Sequence, residues 1–188
     1  MLKIPRINIT SEMRSQAIIE SQKRDSYIKH HFEVDHLSYQ QRDELGFVGE
    51  FACCKFLGLD WKNNIRDNYL NIDDYDILIK NKKIDIKTET VPSVYAKKIL
   101  RKEISDDELY GRRLINKGQF NLLKKYDMVI FSLFARENLD LWFPIGYLET
   151  DFIIKNYPPT NIRPDGGFYP FPASPVPTSA LKSIFNLL

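Results

Sequence analysis

The chain has 188 residues, which suits one domain, alone or with an extension, and can bury a single core. At 43% hydrophobic and 28% charged residues its composition is that of a globular protein and excludes wholesale disorder. The formal net charge is only +2, so affinity for nucleic acid cannot be argued from the total and needs a local basic cluster.

Cys53 and Cys54 are adjacent inside an apolar run. Neighbouring cysteines rarely bond to each other, and two positions cannot supply a four-ligand zinc site. They are expected as buried, reduced thiols of an intracellular protein. No apolar stretch approaches the roughly 18 residues that span a bilayer, and the opening MLKIPRINIT does not read as a signal peptide. The expected setting is the cytoplasm, with no membrane partner.

Residues 1–9 read as extended, with Pro5 in the middle. Thr10 or Ser11 is placed to cap a helix through Met13, Ile18, Ile19 and Tyr27 towards His31. That segment is polar on most sides and is expected on the surface or against a partner. His30, His31 and His36 have no carboxylate or cysteine at a ligand spacing and read as surface histidines. A second helix is better marked. Ser38 and Gln41 form a capping-box pattern, the segment continues through Leu45, Phe47, Val48, Phe51, Ala52 and Phe56, and Gly58 is placed to end it.

After a polar loop from Asn63 to Asp74 come two short alternating runs, 75–79 and 84–88, rich in β-branched residues. Lys80-Asn81-Lys82-Lys83 between them reads as the turn of a hairpin. Residues 93–125 look helical in places and are dense in charge. An apolar strand from Met128 to Phe134, a turn at Glu137-Asn138 and a strand from Leu139 to Ile145 follow. The stretch 158–177 carries seven prolines and the pair Gly166-Gly167, and is expected to be irregular. Thr178 to Leu188 is expected as a short amphipathic helix with Leu181, Ile184, Phe185 and Leu188 as its stripe. The fold class is therefore mixed α/β around a small sheet. It divides into an N-terminal helical extension (1–37), a core (38–157) with a basic helical insertion near 93–125, and a Pro-rich tail (158–188).

Chemistry concentrates in the hairpin. Asp85 and Lys87, two apart on a strand, share a face. If Asn81-Lys82 turns, Asp76 falls opposite Lys87; if Lys80-Asn81 turns, it falls opposite Asp85. Both registers gather the three side chains on one face. Opposed residues have Cβ atoms about 5 Å apart and diagonal ones about 7–8 Å, so the two carboxylates can reach one cation between them. Two carboxylates suit Mg²⁺, which keeps several waters and completes its shell with substrate phosphate. Such an ion polarises the phosphate and acidifies a bound water, which Lys87 could orient or help deprotonate. The same pattern also fits a plain hairpin that buries Ile77, Ile79, Ile84 and Ile86 and turns its charges to water.

Glu50, within Gly46-Phe47-Val48-Gly49-Glu50-Phe51-Ala52, bears on that choice, because a carboxylate there is costly to bury without compensation. A metal, or a water on it, would compensate; a salt bridge to a lysine at the core edge is the alternative. The two glycines weaken a helix by up to about 1 kcal/mol each, which suggests close backbone packing.

Glu50 in GFVGEFA, Asp76 in YDILI and Asp85-Ile86-Lys87 in IDIKTET together resemble the PD-(D/E)xK nuclease superfamily, which has the restriction-endonuclease-like fold. The resemblance spans about residues 38–145. It implies that Asp76, Asp85 and the Ile86 carbonyl bind Mg²⁺, with Mn²⁺ as a substitute. Glu50 would act through water or hold a second ion, and Lys87 would position the nucleophilic water. Members often place a glutamine on the next core helix, a role that would fall to Gln119 in KGQFNLLKKYD. Tyr75 stands where the name-giving proline would be, and Asp85 where many relatives carry glutamate. Asp73 and Asp74 lie close enough to Asp76 to compete as the ligand.

Between residues 97 and 125 nine lysines and arginines face four acids, which suits contacts to a phosphate backbone. The candidates are Lys97, Lys98, Arg101, Lys102, Arg112, Arg113 and Lys117, with Tyr95 and Tyr110 interleaved; a solvated helix face is the alternative. The function expected is metal-dependent phosphodiester hydrolysis, with DNA as the polymer that the resemblance implies and a homodimer as a plausible assembly. The alternatives are a nuclease-like domain that binds nucleic acid or protein without cutting, and a carboxylate-pair glycosidase, which gives Lys87 no role.

Overall fold

The computed structural model describes residues 4–25, 37–67, 69 and 75–188. Its architecture is mixed α/β: a five-stranded mixed sheet, a second three-stranded sheet and five helices. His30, His31, His36, Tyr27, Asp73 and Asp74 lie outside the described residues.

Helix α1 (Ser11–Asp25) begins where Thr10 Oγ1 accepts the Met13 amide at 3.2 Å. It lies at the surface, as expected, with one face packed inward. Met13, Ala17, Glu20 and Ser21, at helical spacing, are buried in the contact with helix α2 (Tyr39–Phe56), while Ile18 and Ile19 face outward. Small Ala17 and Ser21 permit the approach, and Glu20 is burdened with four donors rather than left bare. Its carboxylate accepts from Tyr69 Oη at 2.6 Å, Lys23 Nζ at 2.8 Å, Gln16 Nε2 at 3.1 Å and the Arg66 amide at 3.3 Å.

The capping box of α2 forms in both directions, Gln41 N to Ser38 Oγ at 3.1 Å and Ser38 N to Gln41 Oε1 at 3.0 Å. Gly58, at φ 74°, ends it. From Phe47 to Cys54 every residue is buried, and both thiols are free; burial pushes Cys54 up to about 12 and Cys53 well above its ordinary value. Gly49 marks the close packing: a Cβ there would stand 2.1 Å from Thr88 Oγ1. Gly46, by contrast, has nothing within 4 Å of such an atom.

The main sheet runs β1-β6-β5-β3-β2, with β1 Ile7–Asn8, β2 Ile77–Ile79, β3 Lys82–Val91, β5 Met128–Ala135 and β6 Asn138–Glu149. Only β3 and β5 pair in parallel. Strand β5 is buried from Met128 to Phe134, the continuous apolar run of a strand covered on both faces. Ile84, Ile86, Met128 and Ile130 face α1 and α2. Their neighbours Val129 and Phe131, in register with Asp85 and Lys87, face the other way.

That second face is covered by a sheet of order β4-β8-β7, with β4 Arg112–Asn116, β7 Thr160–Ile162 and β8 Phe168–Pro177. The insertion is thus partly strand: helix α3 (Ser93–Leu100) and the single turn α4 (Lys117–Phe120) flank β4. The Pro-rich stretch forms regular structure as well, a correction to the sequence expectation. Thr178 donates to the Gly111 carbonyl at 3.0 Å, so by alternation the hydrogen-bonded pairs are Arg113–Val176 and Ile115–Ser174. Pro175 and Pro177 occupy the intervening positions, where no amide is needed. Helix α5 (Thr150–Asn156) follows β6. The terminal segment is not an amphipathic helix. A bridge between Tyr147 and Lys182 holds it extended between short 3₁₀ turns at Thr178–Ala180 and Ile184–Leu187; Ile184 is buried, while Phe185 and Leu188 are exposed. Among the described residues no helix is long and apolar enough to cross a membrane.

Candidate active site

The hairpin turns on Lys80-Asn81, with φ of 48° and 64°, and pairs Ile79 with Lys82 and Ile77 with Ile84. Of the two registers left open by the sequence, this one brings Asp76 to Asp85. The β2 register ends at Ile77, but the Asp76 amide still donates to the Ile84 carbonyl at 2.9 Å and its side chain extends the contact: Oδ2 accepts the Ile86 amide at 2.7 Å. Asp76 is thereby fixed at the point where β2 leaves β3.

Asp85 is 4% exposed. Its Oδ1 accepts from Lys87 Nζ at 2.8 Å, and its Oδ2 has no hydrogen-bond partner among the described residues. A buried carboxylate oxygen without a donor is costly, and such an oxygen is a natural cation ligand. Burial works to lower the proton affinity of Lys87, but Asp85 and Asp76 outweigh it and the net direction is upward. That direction favours the ammonium form, which donates to Asp85.

Glu50 is buried on α2, carried to the site by the close contact of Gly49 with Thr88. Its Oε2 accepts from Asn64 Nδ2 at 3.1 Å and Arg66 Nη2 at 3.4 Å, and the same Arg66 nitrogen lies 3.8 Å from Asp76 Oδ1. The salt bridge allowed for in the sequence thus exists, to an arginine of the loop rather than to a lysine. Burial, then the nearby Asp76, pushes Glu50 up to about 8; burial, then Asp85, pushes Asp76 up to about 6. Without a further cation the cluster retains protons near neutrality.

Among the described residues no three histidines, cysteines or acids group as a self-sufficient metal site. The oxygens that could serve an ion are those of the two aspartates, beside an arginine-braced glutamate. That set fits Mg²⁺, which ordinarily takes one or two carboxylates and leaves the rest of its shell to water and phosphate.

These groups lie along a cleft of about 1120 Å³. Its lining includes Gln119, exposed on α4; among the described residues no hydrogen bond ties Gln119 to the carboxylates. Arg112 and Arg113 also line it, whereas Lys97, Lys98, Arg101, Lys102 and Lys117 do not. Lys98 pairs with Glu108 at 2.5 Å, and Lys97, Arg101, Lys102 and Lys117 are exposed elsewhere. Arg113 is 2% exposed and forms an ion pair with Glu89, next after Asp85 and Lys87 on that face of β3. Tyr95 and Tyr110 pack against each other with centroids 4.9 Å apart and planes tilted by 47°, and Tyr110 Oη accepts from Arg136 at 2.9 Å.

Residues without any local signal complete the cleft: Arg24, Arg42, Arg66, Arg136 and Arg163. They come from separate elements, so no charge run announces them. Comparison with family models, with curated proteins and with solved structures gives no match.

Proposed function

We propose that this chain is a Mg²⁺-dependent nuclease of the PD-(D/E)xK type, built on a restriction-endonuclease-like core and hydrolysing phosphodiester bonds, most simply of DNA. The observation that carries this reading is Asp85. It is a buried carboxylate with one unpartnered oxygen, beside Asp76 and an ammonium, on the floor of a cleft large enough for a polymer segment.

Asp76, Asp85 and the Ile86 carbonyl would hold the ion, which supplies neutralisation of phosphate charge and acidification of a water. Asp76 keeps its orientation through the Ile86 amide. Lys87 presents N–H donors to the attacking oxygen or to charge developing on phosphate, a preorganised contribution of the oxyanion-hole kind. Glu50 sets the local charge from the helix side and can accept from ordered water. Arg66 lies against both Glu50 and Asp76 and offsets part of the repulsion among the acids before substrate arrives.

The test is cleavage of supercoiled plasmid, linear duplex, single-stranded and branched DNA with Mg²⁺ or Mn²⁺, beside EDTA and Asp85→Ala controls. Metal-dependent cutting lost in the variant is the expected outcome. Absence of cutting on every substrate, with calorimetry detecting no metal at the carboxylates, would leave a nuclease-like domain that binds without cutting.

A further inference from the structure

Accepting the nuclease reading above, we infer that the cleft admits an unpaired strand, and that Tyr169 and Phe168 on β8 stack its bases while Arg112 and Arg163 hold its phosphates.

The first ground is depth. Asp85 is 4% exposed, and the cleft stands between α1–α2 on one side and β4, β8 and the β7–β8 turn on the other. Its volume of about 1120 Å³ lies above the range of small-molecule pockets, about 300–1,000 Å³. A single strand, one chain wide and free to rotate its bases aside, suits a recessed and nearly covered floor of this kind.

The second ground is the chemistry of the β8 wall. Phe168 is 75% exposed, far more than an aromatic ring with a structural duty. Tyr169 lines the cleft, and its hydroxyl, although buried, has no hydrogen-bond partner among the described residues. Two guanidinium groups line the same cleft as this ring, those of Arg112 and Arg163. Arg112 is held in place by the Asp106 carbonyl at 3.1 Å and by Asp107 at 3.4 Å. Arg163 is paired with Asp165 in the β7–β8 turn. Aromatic rings interleaved with fixed cations along a groove are the recognition set for single-stranded nucleic acid: every base has a face to stack, and the backbone is tracked by charge. The unpartnered Tyr169 hydroxyl supplies a donor for a phosphate or sugar oxygen.

Fluorescence anisotropy with labelled 12-residue single-stranded DNA, single-stranded RNA of the same sequence and blunt duplex DNA tests this, using Asp85→Asn protein so that nothing is cut. Single strand is expected to bind at least about 10-fold more tightly than duplex. Phe168→Ala and Tyr169→Ala should each weaken single-strand binding by about 5- to 100-fold, the range for loss of one stacked base. Duplex binding should be untouched by either. Tyr169→Phe, which keeps the ring and loses the hydroxyl, should fall between; circular dichroism confirms the fold of each variant. The DNA and RNA arms decide which sugar the cleft accepts. Duplex binding equal to or tighter than single-strand binding, or folded Phe168 and Tyr169 variants that bind normally, would overturn the inference. Metal-dependent cutting of duplex alone sinks it while sparing the nuclease reading. Tyr169-dependent single-strand binding by a wild-type protein that cuts nothing sinks the nuclease reading and spares this one.

Discussion

Arg66 Nη2 lies 3.4 Å from Glu50 Oε2, so a buried helix carboxylate is matched by a cation from the loop that leads to the hairpin. Arg66→Ala removes that cation from a site where Glu50 is largely enclosed. Breaking one side of such a pair costs about 3 kcal/mol. The expected result is a lower urea midpoint, recovered in part by millimolar Mg²⁺. A variant as stable as wild type in EDTA would show that Arg66 is dispensable to the cluster.

The raised proton affinities of Glu50 and Asp76 fix a pH dependence. Both carboxyls bind protons more tightly in the folded chain than in the unfolded one, by burial first and by mutual repulsion second. Stability in EDTA therefore falls as pH rises from about 4.5, the ordinary glutamate value, towards about 8, where folded Glu50 ionises. Metal affinity runs the other way and strengthens over the same interval as ligands lose protons. Urea unfolding at pH 5, 6.5 and 8, repeated with Glu50→Gln, should show a slope in the wild type and a flatter one in the variant. Equal slopes would remove Glu50 from the account.

Asp85→Asn and Lys87→Ala separate holding from turning over. The first should abolish metal-dependent stabilisation and lower cleavage at least about 10³-fold, with the metal-free fold intact. The second should retain metal and nucleic-acid binding yet lose roughly 10²- to 10³-fold in kcat, the size of effect seen when one oxyanion-stabilising donor is removed. Loss of binding in Lys87→Ala would make it a substrate-capture residue instead.

Gly49→Ala places a methyl 2.1 Å from Thr88 Oγ1 and 2.8 Å from Thr88 Cβ. Pushing α2 off β3 is expected to cost about 1–3 kcal/mol and to displace Glu50, lowering activity beyond the loss in stability. Adding Thr88→Ala should restore only part, because the β-carbon clash persists. Full restoration would mean that the hydroxyl alone fills the gap.

What could be read in advance follows a physical division. Helix α2 carries its own boundaries in Ser38, Gln41 and Gly58, and the hairpin carries its alternation, so both were legible along with Asp76, Asp85 and Lys87. The partners of those residues were not. Arg66 sits in a loop with no periodicity to place it, and it matters through Glu50 and Asp76, which lie 16 and 10 residues away in the chain. Strand β8 was hidden by its own prolines, because whether a proline breaks a ladder depends on which positions donate, and only the pairing with β4 reveals that. Helix α1 read as polar because its buried face is made of Ala17, Ser21 and a glutamate satisfied from elsewhere.

The pairing of β4 with β8 has a consequence for how the protein is made. Arg112 to Asn116 emerge from the ribosome long before Phe168 to Pro177, their partners in the second sheet. Until the later strand arrives, Ile115 and the Arg113–Glu89 ion pair lack their cover and the cleft lacks a wall. The cleft is therefore walled only once the last strand of the second sheet has paired, long after the residues of its floor have been made.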